Sequence, residues 1–294
     1  MLTCKDERMS TPKSNWTTDP APLLRVGEGF RLDEVDTRST PGYDGDKKSG
    51  KKDLAALSDE LNDLQERLFA AHHDDETGPA VLLVLQAMDT AGKGGIVRHV
   101  VGAVDPQGVE LAAFKKPSKE ELAHDFLWRI RPRVPGPGMI GVFDRSHYED
   151  VLIGKVRELA EPEEIERRYE AINDFEAELA EAGVRIVKVM LDISPDEQKD
   201  RLAERLDRPD KYWKYNPGDV DERLLWPDYM KAYQTVFERT STEAAPWFVV
   251  PADRKWYARL AVQRLLLDAL HDIDPQWPAA DFDIEVEKKR LAET

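Results

Sequence analysis

A chain of 294 residues and 33.5 kDa carries a formal net charge of −16, 41% hydrophobic residues and a single cysteine. That length suits one large α/β domain with appendages, and one cysteine excludes a disulfide framework or a cysteine-built zinc site within the chain. The acidic balance argues against a nucleic-acid binder; no apolar run reaches the ~18 residues of a membrane span, and the polar stretch Lys5-Asp6-Glu7-Arg8 lacks a signal-peptide core, so a cytoplasmic protein is expected.

Residues 1–52, rich in Pro, Thr, Ser, Asp and Lys, read as an extended arm that Leu23, Leu24, Val26, Phe30 and Leu32 pin to the body, with Cys4 in its polar leader. Leu54, Leu57, Leu61, Leu64 and Leu68 recur at helical spacing and predict an amphipathic helix from Asp53 to about His72. Next comes the stretch around which the chain is organised. The apolar run Ala80 to Leu85 predicts a buried strand, Gln86 to Gly95 a tight loop, and Ile96 onward a helix. Strand, glycine loop and helix N-terminus form the usual phosphate cradle, in which backbone N–H groups approach phosphate oxygens and a lysine supplies a point charge. Gly92, Lys93, Gly94 and Gly95 meet those needs, although Ala87 stands where the G-x-x-x-x-G-K-[ST] pattern has its first glycine and Gly94 where it has its hydroxyl.

A second strand is predicted over Val109–Lys115, and Ser118 with Glu121 makes a capping box for a helix through Trp128 and Arg129. A third strand, Met139–Phe143, runs into Asp144-Arg145-Ser146-His147-Tyr148-Glu149. A carboxylate directly after an apolar strand is the Walker-B position for holding Mg²⁺. A charged helix over Glu163–Ala182 ends at Gly183, and a fourth strand covers Val184–Ile193. A helix then opens at Ser194 and places Arg201, Arg205 and Arg208 roughly on one face. Pro209 to Gly218 mixes cations, aromatics and breakers and reads as a mobile lid. A helix over Asp219–Thr240 buries Trp226, Tyr229, Tyr233 and Phe237, a fifth strand covers Trp247–Val250, and a final helix covers Trp256–His271. The acidic tail, residues 274–294, carries no strong signal.

Strands alternating with helices imply an α/β fold with a five-stranded parallel sheet covered on both faces, and its ligands beyond the strand C-termini. Two stretches are locally basic, Lys115–Arg133 with six basic residues against three acidic and Arg201–Lys214 with five against three, which makes a focused basic cleft plausible in an acidic body. Each candidate has a bland alternative. Asp89 suits an Asx-turn and Asp144 a helix N-cap. Arg201, Arg205 and Arg208 suit a solvated face paired with Glu204 and Asp207, and Tyr212, Trp213 and Tyr215 suit lid packing as well as base stacking. His99 and His147 read as packing or hydrogen-bonding residues, because no partner ligand stands at a metal-site spacing.

Gln86–Gly95, Phe143–Leu152 and the run Arg201–Asn216 resemble the family 2 polyphosphate kinases. So do Leu122–Ile130, Ala171–Glu176 and Pro251–Tyr257, and the resemblance extends from about Arg25 to His271. It implies a P-loop-kinase-like fold over residues 53–273 with a helical lid at about 201–220. It also implies Mg²⁺-dependent transfer, with Mn²⁺ as a substitute, of phosphate between inorganic polyphosphate and nucleoside mono- and diphosphates. Carried over, it makes Asp89 and Asp144 the metal and acceptor carboxylates and Lys93 the loop lysine. Lys115, Arg145, Arg201 and Arg205, with Arg208 and Lys211 of the same basic run, become phosphate contacts. Glu149 matches the subgroup that accepts both mono- and diphosphates, which favours AMP and ADP as acceptors. The chain departs from the family pattern at Ala87, usually Gly, and at Asp144, where that subgroup often has Asn. A homo-oligomer, dimer or tetramer, is expected. An ATP-dependent nucleoside monophosphate kinase and a non-catalytic polyphosphate or phosphate sensor are the alternatives.

Overall fold

The structure, a computed structural model, describes residues 14–294; Cys4 lies outside the described residues. Five parallel strands, β1 (Ala80–Gln86), β2 (Val109–Ala113), β3 (Ile140–Asp144), β4 (Val184–Asp192) and β5 (Trp247–Pro251), form one sheet in the order β2-β3-β1-β4-β5. Successive side chains of a strand point to opposite faces, so the all-apolar β1 feeds two cores. Val81, Leu83 and Leu85 pack beneath the helices Lys47–His72, Lys93–His99 and Lys255–Ile273, whereas Ala80, Leu82 and Val84 pack beneath Pro162–Glu181 and Trp226–Thr240. Leu61 and Leu68 of the first helix are sealed in, each stabilising the fold by about 1.5–3 kcal/mol.

That helix starts at Lys47 rather than Asp53, because Asp46 caps it and exchanges hydrogen bonds with Ser49. Leucine periodicity missed this charged first turn. Gly50 sits within it because a Cβ there would stand 2.4 Å from the Trp256 ring. The arm behaves as a strap. Leu24, Val26 and Leu32 are buried, Leu23 stays exposed, and the Val26 N–H donates to the Trp247 carbonyl at 2.8 Å along the free edge of β5.

Two further expected helices differ, and the tail holds one that was not expected. The Ser118–Glu121 capping box forms, with Ser118 N–H to Glu121 at 2.6 Å, but only a short 3₁₀ turn at Glu121–Ala123 follows it. Leu122 faces solvent and Asp125 turns the chain by accepting from the Leu127 N–H, so Phe126, Leu127 and Ile130 reach the core from successive turns and not from one helix. The predicted helix Asp219–Thr240 is two helices, Gly218–Leu224 and Trp226–Thr240, because Pro227 belongs in a first turn and starts a new helix. Tyr229, Tyr233 and Phe237 are buried as expected and Trp226 is half-buried. In the tail, Asp283 caps an exposed helix, Ile284–Ala292.

Candidate active site

β1, β3 and β4 deliver their C-terminal ends to one edge of the sheet, where the strand order reverses around β1. There a cleft of about 540 Å³ is lined by the loop Asp89–Gly95, by Phe114 and Lys115 after β2, by Asp144 and Arg145 at the end of β3, and by Arg205, Lys211 and Lys214 of the segment expected as a lid. Gly92 adopts a φ of +126°, open to glycine and rarely to other residues, and Thr90 one of +67°. The Lys93 ammonium donates to the Ala87 carbonyl at 3.1 Å, closing the loop on itself. Ala87 takes no positive φ and its methyl packs against the core, so the loop turns at Thr90 and Gly92 and needs no glycine at 87.

Asp144 ends β3 and Asp89 lies across from it, bound by Arg145 at 3.1 Å. Arg145 has a φ of +65°, an uncommon conformation for a non-glycine residue. Burial works against its charge, and Glu149, Asp89 and Asp144 more than offset that, raising its pKa. Beneath this pair lies Gln86, buried at the end of β1. With its amide oriented to satisfy both ends, it donates to Glu149 at 2.9 Å and accepts from the Ser146 N–H at 3.1 Å. Burial pushes the Glu149 pKa up against the pull of Arg145 and Lys93.

Nine lysines and arginines line the cleft against two carboxylates, Asp89 and Asp144. The crowding shows in the titration of several. Lys255 is lowered by burial and by Arg201, Arg259 by burial and by Arg98, and His99 by partial burial and by Arg259 and Arg98. Such a surplus on a concave surface concentrates anions.

A family model described as polyphosphate kinase 2 matches residues 44–278. The AMP/ADP-polyphosphate phosphotransferase of Meiothermus ruber is 43% identical over 85% of this chain and 91% of its own length. The chain belongs to the polyphosphate kinase 2 family. The ADP-polyphosphate phosphotransferase of Rhodopseudomonas palustris is 40% identical over 87% of this chain and 91% of its own. The crystal structure of polyphosphate kinase 2 from Arthrobacter aurescens TC1 superposes with a TM-score of 0.92 at 60% identity, covering 95% of this chain and 98% of that one.

In this polyphosphate kinase 2 family member the cleft brings together Asp89, Gly92, Lys93, Gly94, Gly95, Lys115, Asp144, Arg145, Arg205 and Lys211. Glu149 stands just behind them through Gln86. Two expected phosphate contacts are placed elsewhere. Arg201 is buried, its guanidinium donating to Glu197, to the carbonyls of Thr90 and Ala91, and to those of Ala252 and Asp253, so it grips the loop's backbone and has no donor left for a ligand. Arg208 is exposed and paired with Glu204 and Asp210, the solvated-face alternative. Of the basic stretch Lys115–Arg133 only Lys115 reaches the cleft; Arg129 and Arg131 pair with Asp150 and Glu178, and Arg133 donates to the Leu111 carbonyl. His147 is buried beside Glu176, as a packing residue.

Sequence reasoning missed Arg98, Lys214, Lys255 and Arg259, which all line the cleft. Lys255 and Arg259 stand four apart in the first turns of the helix that follows β5, a spacing that puts them on one face. Together with the rule that ligands sit beyond strand C-termini, that pattern contained the signal.

Proposed function

We propose that the protein transfers phosphate between inorganic polyphosphate and nucleotides, running in favour of AMP and ADP to ADP and ATP. The cationic surplus of the cleft above the glycine loop carries this reading: nine cations suit a chain of phosphates better than a single phosphate. The names of the Meiothermus and Rhodopseudomonas relatives support the same substrates.

An acceptor phosphate oxygen is already anionic, so the reaction needs positioning and charge neutralisation rather than a strong base. That oxygen attacks the terminal phosphorus of polyphosphate. The bridging P–O bond breaks and the shortened polyphosphate leaves as an anion. Lys93 and the loop N–H groups hold the transferring phosphoryl, Arg145 and Arg205 neutralise its oxygens, and Lys115, Lys211, Lys214, Lys255 and Arg259 hold the rest of the chain. Asp89 and Asp144 both line the cleft, and two carboxylates completed by substrate phosphates suit Mg²⁺, with Mn²⁺ as a substitute. When bound there, the metal neutralises charge on the phosphate oxygens.

Nucleotide acceptors support a cytoplasmic enzyme. The exposed Trp277, Phe282, Ile284 and Leu291 support a homo-oligomer, dimer or tetramer. Purified protein given polyphosphate and Mg²⁺ with AMP, ADP, GMP or GDP in turn is expected to form the next higher nucleotide. No product from any of the four overturns the reading, and turnover with ATP plus a monophosphate that ignores added polyphosphate replaces it.

A further inference from the structure

Gln198 lies on the helix Pro195–Asp207, three residues before Arg201, and is almost completely buried. Its amide nitrogen donates to the backbone carbonyl of Asp89 at 3.1 Å, and its amide oxygen accepts from the Arg223 guanidinium at 3.0 Å. Arg223 belongs to the helix Gly218–Leu224, which continues from the expected lid at about 201–220 and is its lid helix, and also donates to the Pro195 carbonyl. A carboxamide carries both donors and an acceptor, so one glutamine joins a guanidinium to a carbonyl; neither a carboxylate nor an aliphatic side chain does.

What Gln198 holds is a loop whose own bonds, from Lys93 to the Ala87 carbonyl and from the Ala91 N–H to the Met88 carbonyl, leave the Asp89 carbonyl to an outside partner. Thr90, next to Asp89, sits at a φ of +67°, and such conformations persist only where surrounding contacts over-determine them. Arg201 supplies part of that restraint by gripping the carbonyls of Thr90 and Ala91 from inside the fold. Arg145 holds the Asp89 carboxylate, and the restraint on the Asp89 backbone carbonyl runs outward, through Gln198 to the lid. The same lid helix carries Asp219, which accepts from Arg205 at 3.2 Å, so the seated helix also aims Arg205 at the cleft.

We propose that Gln198 is a positioning residue that links the lid to the phosphate loop, through Arg223 on one side and the Asp89 carbonyl on the other, so that the backbone at Asp89 is fixed in its reactive place when the lid helix is seated. The role rests on the proposed phosphotransfer, in which Gln198 itself touches neither substrate nor metal.

Amide hydrogen exchange of residues 87–95, measured without substrate, tests the link independently of turnover. In Arg223→Ala, a partly exposed residue far along the chain from the loop, these amides are expected to exchange about tenfold faster, the equivalent of one hydrogen bond lost. In Gln198→Glu the acceptor for Arg223 survives but an oxygen faces the Asp89 carbonyl, so the loop loosens while the lid contact remains. Turnover supplies the second arm. Gln198→Leu and Arg223→Ala are each expected to lower kcat by about 10- to 100-fold, the scale of a misplaced reacting group, and the double variant to be no worse than the poorer single. Unchanged exchange at 87–95 in Arg223→Ala overturns the link, as do losses that multiply in the double variant. If Gln198→Leu fails to fold, Arg223→Ala and its exchange profile decide the question alone. A parent without turnover on any of the four nucleotides defeats the phosphotransfer reading, and the exchange result still stands or falls separately.

Discussion

The cleft above the strand ends holds cations in surplus, and the sealed cluster behind β4 holds a cation and a carboxylate matched one to one. In the cleft, nine cations face two carboxylates. Behind the sheet, Lys188 is completely buried and spends its donors on Glu176 at 2.5 Å, the Thr240 carbonyl at 2.7 Å and the Tyr148 hydroxyl at 2.9 Å, while Tyr148 donates to Glu176 at 2.8 Å. Burial lowers the Lys188 pKa against the pull of Glu176, and at Glu176 the charges and hydrogen bonds of Lys188 and His147 outweigh burial and lower its pKa. Charge matched inside the fold belongs to architecture, and charge left in surplus over a cleft belongs to a ligand.

The largest effects separate the two regions. Lys188→Met leaves Glu176 buried without its partner and is expected to cost about 3–5 kcal/mol, read as a lower urea midpoint at unchanged slope. Activity per folded molecule should stay near that of the parent; a fall of tenfold or more would tie the sealed cluster to catalysis and blur the distinction. Lys93→Ala should do the reverse, lowering kcat by about 10²–10³-fold with the melting temperature within a few degrees of the parent. Near-parental turnover would remove the glycine loop from the mechanism.

A smaller effect sharpens the boundary between the regions. Asp192 is buried at the end of β4, and burial together with the charge of Asp253 pushes its pKa up to about 7. A carboxyl whose folded pKa exceeds its unfolded value holds more protons when folded. Its stabilising contribution is full below the unfolded pKa and is lost as pH rises through the folded one. Stability is therefore expected to fall by about 2–3 kcal/mol between pH 5 and 8 on account of Asp192, and Asp192→Asn should flatten that part of the profile. Denaturant midpoints across the range decide it: an equally steep fall in the variant assigns the titration to another group.

Most of the fold was legible because periodicity is a local signal. The β1 run, the glycine loop and Asp144 at the end of a strand could each be read from neighbouring residues, and all five strands lie where expected within a few residues. What escaped depends on distant partners. Nothing in Val184–Asp192 says that Lys188 meets Glu176 and Thr240, and nothing in the spacing of Arg201, Arg205 and Arg208 says which of them turns inward. The Ser118–Glu121 box shows the converse. Its local hydrogen bonds form, but only a 3₁₀ turn follows, because the Asp125 side chain caps a new turn at Leu127 that competes with continuing the helix.

Arg205 and Arg208 give the finest test, because they share a helix end and a charge and differ only in what they face. Arg205 lines the cleft, held by Asp219 and the Lys214 carbonyl, whereas Arg208 is half exposed and spends its guanidinium on Glu204 and Asp210. Exposed pairs contribute little, so Arg208→Ala should change stability by no more than about 0.5 kcal/mol and leave the KM for polyphosphate within about twofold. Arg205→Ala removes a charge pointed at the phosphate path and should raise that KM, lower kcat, or both, by about tenfold in kcat/KM. Salt makes the contrast sharper: an arginine that touches phosphate steepens the loss of polyphosphate affinity with ionic strength, so the slope should become shallower in Arg205→Ala and stay parental in Arg208→Ala. Equal slopes in the two variants would mean that the cleft gathers anions through its overall field and that the inward turn of Arg205 carries no separate meaning.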